Sequence, residues 1–85
     1  MNSVTIYTSS MCPYCWRAVS LLKKKSASFK EINVGMNAKL RAEMIQRSGG
    51  VTSVPQIFIG DHHVGGCDEM MALERSGHLD GMLAG

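Results

Sequence analysis

The sequence predicts an α/β fold: a four-stranded mixed sheet with helices packed on both faces. Three observations carry this expectation. Short stretches rich in β-branched and aromatic residues alternate with stretches whose apolar residues recur at helical spacing. The first two strand-like stretches are joined through a helix, which favours a parallel pair. The last two are separated by a tight turn, which makes a hairpin. The resulting order is β-α-β-α-β-β-α, and 85 residues suffice for one domain spanning 1–85.

The elements follow in chain order. Ser3 to Thr8 alternates and reads as a strand. Ser9 to Cys12 is a short loop with capping character, and Pro13 suits a first helical position, where its missing N–H costs nothing. From Pro13 to Lys25, Cys15, Ala18, Val19 and Leu22 form one apolar face. Phe29 to Val34 alternates again, with Phe29 and Glu31 on one side and Lys30, Ile32 and Val34 less cleanly on the other. Asn37 is a candidate cap for a helix from Ala38 to Ser48, with Leu40, Met44 and Ile45 inward, stopped by Gly49-Gly50. Val54 to Ile59 reads as a third strand with Pro55 at its start. Gly60-Asp61 turns the chain into His62-His63-Val64, and Gly65-Gly66 breaks that strand. Asp68 then begins a helix that ends near Gly77, and Leu79, Met82 and Leu83 suggest a last helical turn.

Composition narrows the function classes. The net charge is only +2, and apart from Lys23-Lys24-Lys25 the basic residues are scattered, unlike the stripe of a nucleic-acid binder. The triple lysine reads as a solvated helix end that complements the helix dipole. No signal peptide is visible at the N-terminus, and no apolar run nears the roughly 20 residues a membrane span needs. The expected setting is therefore cytoplasmic, without nucleic-acid or membrane partners. Thiols stay reduced there, so three cysteines with two in Cys-x-x-Cys spacing suggest redox chemistry or a metal rather than structural disulfides.

Cys12-Pro13-Tyr14-Cys15 is the first chemical feature. Two cysteines three positions apart in a first helical turn share one side and lie within disulfide reach. Cys12 sits at the helix N-terminus, beside unpaired N–H groups, a setting that favours a thiolate. Cys15, one turn in, faces the apolar side. A reactive outer sulfur and a sheltered inner one suit thiol–disulfide exchange. The alternative is a zinc half-site completed by Cys67 and one of His62, His63 or His78, although no second matched pair accompanies it. Pro55 either starts an edge strand or holds a cis bond beside the redox site. Gly65-Gly66-Cys67-Asp68 is the second feature. Its glycines allow close backbone approach, and the helix start offers N–H groups to a carboxylate. Asp68 can cap that helix or pair with an ammonium group. Cys67 and the methionines read as core fillers, and His62 and His63 as exposed hairpin residues.

Taken together, Cys12 to Cys15, then Ser53-Val54-Pro55 with Gln56 to Ile59, then Gly65 to Asp68, resemble the small dithiol glutaredoxins of bacteria. The resemblance runs from Val4 to Leu83. It implies the thioredoxin fold and a glutathione-dependent oxidoreductase with no bound cofactor or metal and glutathione as co-substrate. Cys12 would be the catalytic nucleophile and Cys15 its resolving partner. Tyr14, Ser53, Val54, Pro55, Gly66, Cys67 and Asp68 would bind glutathione, with the Val54 backbone, ahead of a cis Pro55, pairing with its cysteinyl part. The amide of Cys67 and the carboxylate of Asp68 would hold its γ-glutamyl end. Implied partners are glutathione, glutathionylated proteins and protein disulfides, ribonucleotide reductase among them, met by a monomer. Three positions depart from the family pattern: Ser9 stands where many relatives carry lysine, Ser53 where they carry threonine, and Trp16 where smaller or polar residues are common. Arg47 is the candidate to replace the lysine charge. The alternatives are a redoxin reduced by thioredoxin reductase and a non-enzymatic glutaredoxin that binds a [2Fe–2S] cluster.

Overall fold

The computed structural model describes residues 2–84. Its elements are β1 (Val4–Thr8), α1 (Pro13–Lys24), β2 (Phe29–Asn33), α2 (Ala38–Arg47), β3 (Gln56–Ile59), β4 (His62–Gly65), α3 (Cys67–Ser76) and α4 (Leu79–Ala84). The sheet order is β2-β1-β3-β4. β1 and β2 are parallel, with Val4 opposite Phe29 and Thr8 opposite Asn33. β3 runs antiparallel to both β1 and β4. This is the expected mixed sheet with thioredoxin-like topology.

Strand alternation sends side chains to two separate cores. On one face, Val4, Ile6, Ile57 and Ile59 pack with Ala18 and Leu22 of α1, Cys67 and Met70 of α3, and Leu79 and Leu83 of α4. On the other, Tyr7 and Phe58 meet Val34 and Met44. Each fully buried Leu or Met contributes about 1.5–3 kcal/mol, so a sheet covered on both faces is the favourable way to hide both rows. Asn37 caps α2 as expected, its side chain accepting the Leu40 N–H at 3.0 Å.

Five local expectations are corrected. β3 begins at Gln56 rather than Val54, because Pro55 has no N–H to place in a ladder. Nor does Pro55 start an edge strand, since β3 lies between β1 and β4. α3 begins at Cys67 with Gly66 as its cap residue, so Asp68 is not the cap. Instead Glu69 Oε1 accepts the Gly66 N–H at 2.7 Å. Lys25, unlike the exposed Lys23 and Lys24, is not a free helix-end cation: its Nζ lies 2.7 Å from Glu74 and 2.8 Å from Asp80, tying the end of α1 to α3 and α4. His63 is half-buried rather than exposed, with its ring stacked 4.8 Å from that of Phe58.

Candidate functional site

The turn between β1 and α1 sets the two cysteines. Met11 takes a left-handed conformation (φ 61°) and its side chain projects into solvent, 83% exposed. Cys12 follows in extended conformation as the cap residue of α1, with Pro13 at the first helical position. The Cys12 Sγ accepts the backbone N–H of Cys15 at 3.2 Å, as an oxygen would in an ordinary N-cap. Both thiols are free. Cys12 is half-buried, whereas Cys15 is 1% exposed. Burial pushes the Cys15 thiol from 9.0 up to about 12, with a further upward contribution from its hydrogen bond to Cys12. The pair is therefore asymmetric: a sulfur with a backbone donor at a helix N-terminus, and an inner thiol held neutral.

Beside the helix start opens a groove of about 460 Å³. Tyr14 of α1, the loop residues Ser53, Val54 and Pro55, and Gly66, Cys67 and Asp68 at the start of α3 all line it. All seven residues singled out in the sequence for glutathione thus share one cavity, and Cys12 lies just ahead of Tyr14. The Val54–Pro55 bond is cis. A Cβ on Gly66 would sit 3.4 Å from the Pro55 carbonyl oxygen and 3.3 Å from Glu69 Oε1. Glycine thus lets the start of α3 approach the proline loop. The first-turn amides of Cys67 and Asp68 have no carbonyl within the helix to bind, and Asp68 is exposed. Burial pushes the Cys67 thiol above 9.0, opposed by the nearby Arg17.

Six groove residues fall outside the set that sequence reasoning assigned to glutathione: Val51, Gln56, His63, Val64, Gly65 and Glu69. A signal existed for two of them. Glu69 stands three residues after Gly66, the spacing of a capping box, and Gln56 interrupts an otherwise apolar strand. The zinc half-site does not form in this conformation. Among the described residues, no three His, Cys, Asp or Glu side chains converge as metal ligands would.

Residues 4–64 match the family model for glutaredoxin. The chain is 51% identical to the glutaredoxin of Pseudomonas aeruginosa over 84 residues, covering 99% of both chains. It is 53% identical to glutaredoxin 3 of Escherichia coli K12 over 83 residues, covering 98% of this chain and 99% of that one. The chain belongs to the glutaredoxin family. Among solved structures, a buckwheat glutaredoxin–glutathione complex superposes with a TM-score of 0.86 at 31% identity, over 98% of this chain and 77% of that one. Glutaredoxins are thiol–disulfide oxidoreductases with glutathione as co-substrate, and this glutaredoxin, with its Cys12/Cys15 dithiol, is an enzyme of that class. No helix among its described residues is long and apolar enough to cross a membrane.

Proposed function

We propose that this glutaredoxin reduces glutathione mixed disulfides through Cys12 alone and protein disulfides through Cys12 and Cys15 together, with glutathione seated in the groove. The observation that carries the proposal is the placement of the Cys12 Sγ at the start of α1, beside a cavity lined by Tyr14, Ser53, Val54, Pro55, Gly66, Cys67 and Asp68. In support, the buckwheat homologue crystallised as a complex with glutathione.

In the monothiol route, the Cys12 thiolate attacks the glutathione sulfur of the mixed disulfide. The substrate sulfur leaves as a thiolate, and Cys12 becomes glutathionylated. A second glutathione thiolate attacks the glutathione sulfur of that adduct, giving oxidised glutathione and restoring the Cys12 thiolate. In the dithiol route, Cys12 attacks one sulfur of a protein disulfide and expels the other as a thiolate. Cys15, once deprotonated, attacks the Cys12 sulfur, releases the second substrate thiolate and closes a Cys12–Cys15 disulfide. Two glutathione molecules then reduce that bond and leave as oxidised glutathione. The Val54 backbone pairs with the cysteinyl part of glutathione. The free amides of α3 and the Asp68 carboxylate receive its γ-glutamyl carboxylate and ammonium respectively. Ribonucleotide reductase is among the proposed protein substrates, the working form is a monomer, and its compartment is the cytoplasm.

The test is turnover of a glutathione–mercaptoethanol mixed disulfide, coupled through glutathione reductase to NADPH oxidation. The native protein is expected to turn over and Cys12→Ser to be inactive. A folded native protein that is inactive here but reduced by thioredoxin reductase would overturn the glutathione assignment. It would leave the departures at Ser9, in place of a lysine, and Ser53, in place of a threonine, as the explanation.

A further inference from the structure

His63 touches no sulfur, yet it lies in the groove wall and its ring nitrogen is committed. Its Nε2 lies 2.6 Å from Gln56 Oε1, and Gln56 Nε2 donates to the Ser53 carbonyl at 3.0 Å. A main-chain carbonyl can only accept. The amide nitrogen of Gln56 must therefore face Ser53, and its oxygen must face His63. Gln56 Oε1 can only accept in turn, so His63 Nε2 carries the hydrogen. The chain of donors runs one way: His63 to Gln56 to Ser53.

Each link is held from outside. Gln56 is 2% exposed, so losing a partner cannot be made good by water and leaves a buried amide oxygen unpaired. The His63 ring is fixed by stacking on Phe58 at 4.8 Å with 23° between planes. Phe58 is itself buried against the edge of Tyr7 and lies under the Arg47 guanidinium, 4.2 Å from the ring centroid. Arg47 is thus occupied over Phe58 and with the Tyr7 hydroxyl at 3.4 Å. The Ser53 carbonyl, the end of the chain, belongs to the peptide unit joining Ser53 to Val54.

We infer that His63 is a positioning residue for glutathione: through Gln56 it fixes the Ser53–Val54 peptide, and with it the backbone that pairs with the cysteinyl part of the tripeptide. This rests on the assignment of the groove to glutathione. It goes beyond that assignment in naming what fixes the Ser53–Val54 segment of the groove lining.

Three variants separate the two ideas in the mixed-disulfide assay. His63→Phe keeps the stack on Phe58 and removes the donor. His63→Gln restores a donor near the position of Nε2. Asp68→Asn tests the groove itself. His63→Phe is expected to raise KM for the mixed disulfide about fivefold, the scale of one hydrogen bond, with kcat within about twofold. His63→Gln should recover most of the loss, and Asp68→Asn should raise KM independently. Should Asp68→Asn raise KM while His63→Phe leaves it unchanged, or His63→Gln prove as impaired as His63→Phe, the inference falls and the groove assignment stands. Unchanged KM in both Asp68→Asn and His63→Phe overturns the groove assignment and the inference with it. A second readout needs no variant. Long-range ¹⁵N–¹H correlation on the native protein should show neutral His63 as the Nε2–H tautomer, and an Nδ1–H tautomer would sink the relay.

Discussion

At the scale of single residues, the decisive contrast lies between two thiols three positions apart. Cys12 keeps partial contact with solvent and a backbone donor, while Cys15, in the first turn of α1, is buried. Burial, the largest cause, pushes Cys15 up to about 12, so near neutrality only a small fraction is thiolate at any moment. That fraction grows tenfold per pH unit while pH stays well below 12. Closure of the Cys12–Cys15 disulfide from a protein mixed disulfide should therefore accelerate about tenfold per unit between pH 6 and 9. Stopped-flow single turnovers measure this directly, and a flat profile would show Cys15 already ionised in the intermediate. Deglutathionylation, which bypasses Cys15, should survive Cys15→Ser. The same upward shift has a stability consequence of definite sign. The folded state holds the Cys15 proton more tightly than the unfolded chain, so its contribution is complete below about 9 and is lost as pH rises toward 12. Urea unfolding of the reduced protein at pH 8 and pH 10.5 should show a larger loss for the native chain than for Cys15→Ser.

At the scale of elements, the start of α3 shows what was legible in the sequence and what was not. β1, α1 and the β3–β4 hairpin followed from alternation, from Pro13 at a helix start and from Gly60-Asp61, because each signal is local. Gathering Tyr14, Ser53 to Pro55 and Gly66 to Asp68 into one groove needed the resemblance to glutaredoxins, since no local pattern brings three distant segments together. The capping residue of α3 was misplaced by two positions, from Gly66 to Asp68, because a glycine has no side chain to signal a cap and the carboxylate that serves it, Glu69, stands three residues on. His63 was missed because an exposed-looking hairpin histidine carries no periodic signal; its partner Gln56 lies seven positions back, across the hairpin. Glu69 now has a testable role. Gly65 stands at φ 113°, and a Cβ there would sit 2.8 Å from Glu69 Oε1, so Gly65→Ala strains the backbone and pushes the capping carboxylate aside. A loss of about 1–3 kcal/mol is expected from the backbone conformation, against about 0.5–2 kcal/mol for Glu69→Ala from the lost cap. Denaturant melts would rank them, and equal stability of Gly65→Ala and the native chain would show that β4 relaxes to admit the methyl.

At the scale of the whole molecule, the C-terminal helices close one of the two cores, and what holds them there is separate from the redox site. Leu79 and Leu83 bury into the face formed by α1, α3 and the sheet. Asn2 anchors α4 from the other end of the chain, its backbone N–H donating to the Leu83 carbonyl and its side chain to the Met82 carbonyl, both at 2.9 Å. Lys25 adds a third tie by bridging Glu74 on α3 and Asp80 on α4. These two carboxylates hold its ammonium group above the ordinary 10.5, so the tie is complete below 10.5 and is lost as pH rises past the raised value. All three charged groups keep contact with solvent, and pairs of this kind contribute little individually and are screened by salt. Lys25→Met should therefore lower Tm slightly at low ionic strength, with the gap to the native chain closing in about 1 M salt, where the Debye length shrinks to about 3 Å. Mixed-disulfide turnover should be unchanged, because neither Lys25 nor its partners Glu74 and Asp80 line the groove. A Tm gap that persists in high salt would instead assign the effect to the packing of the lysine stem between the helices, and α4 would then be held by apolar contact and the Asn2 hydrogen bonds without an electrostatic tie.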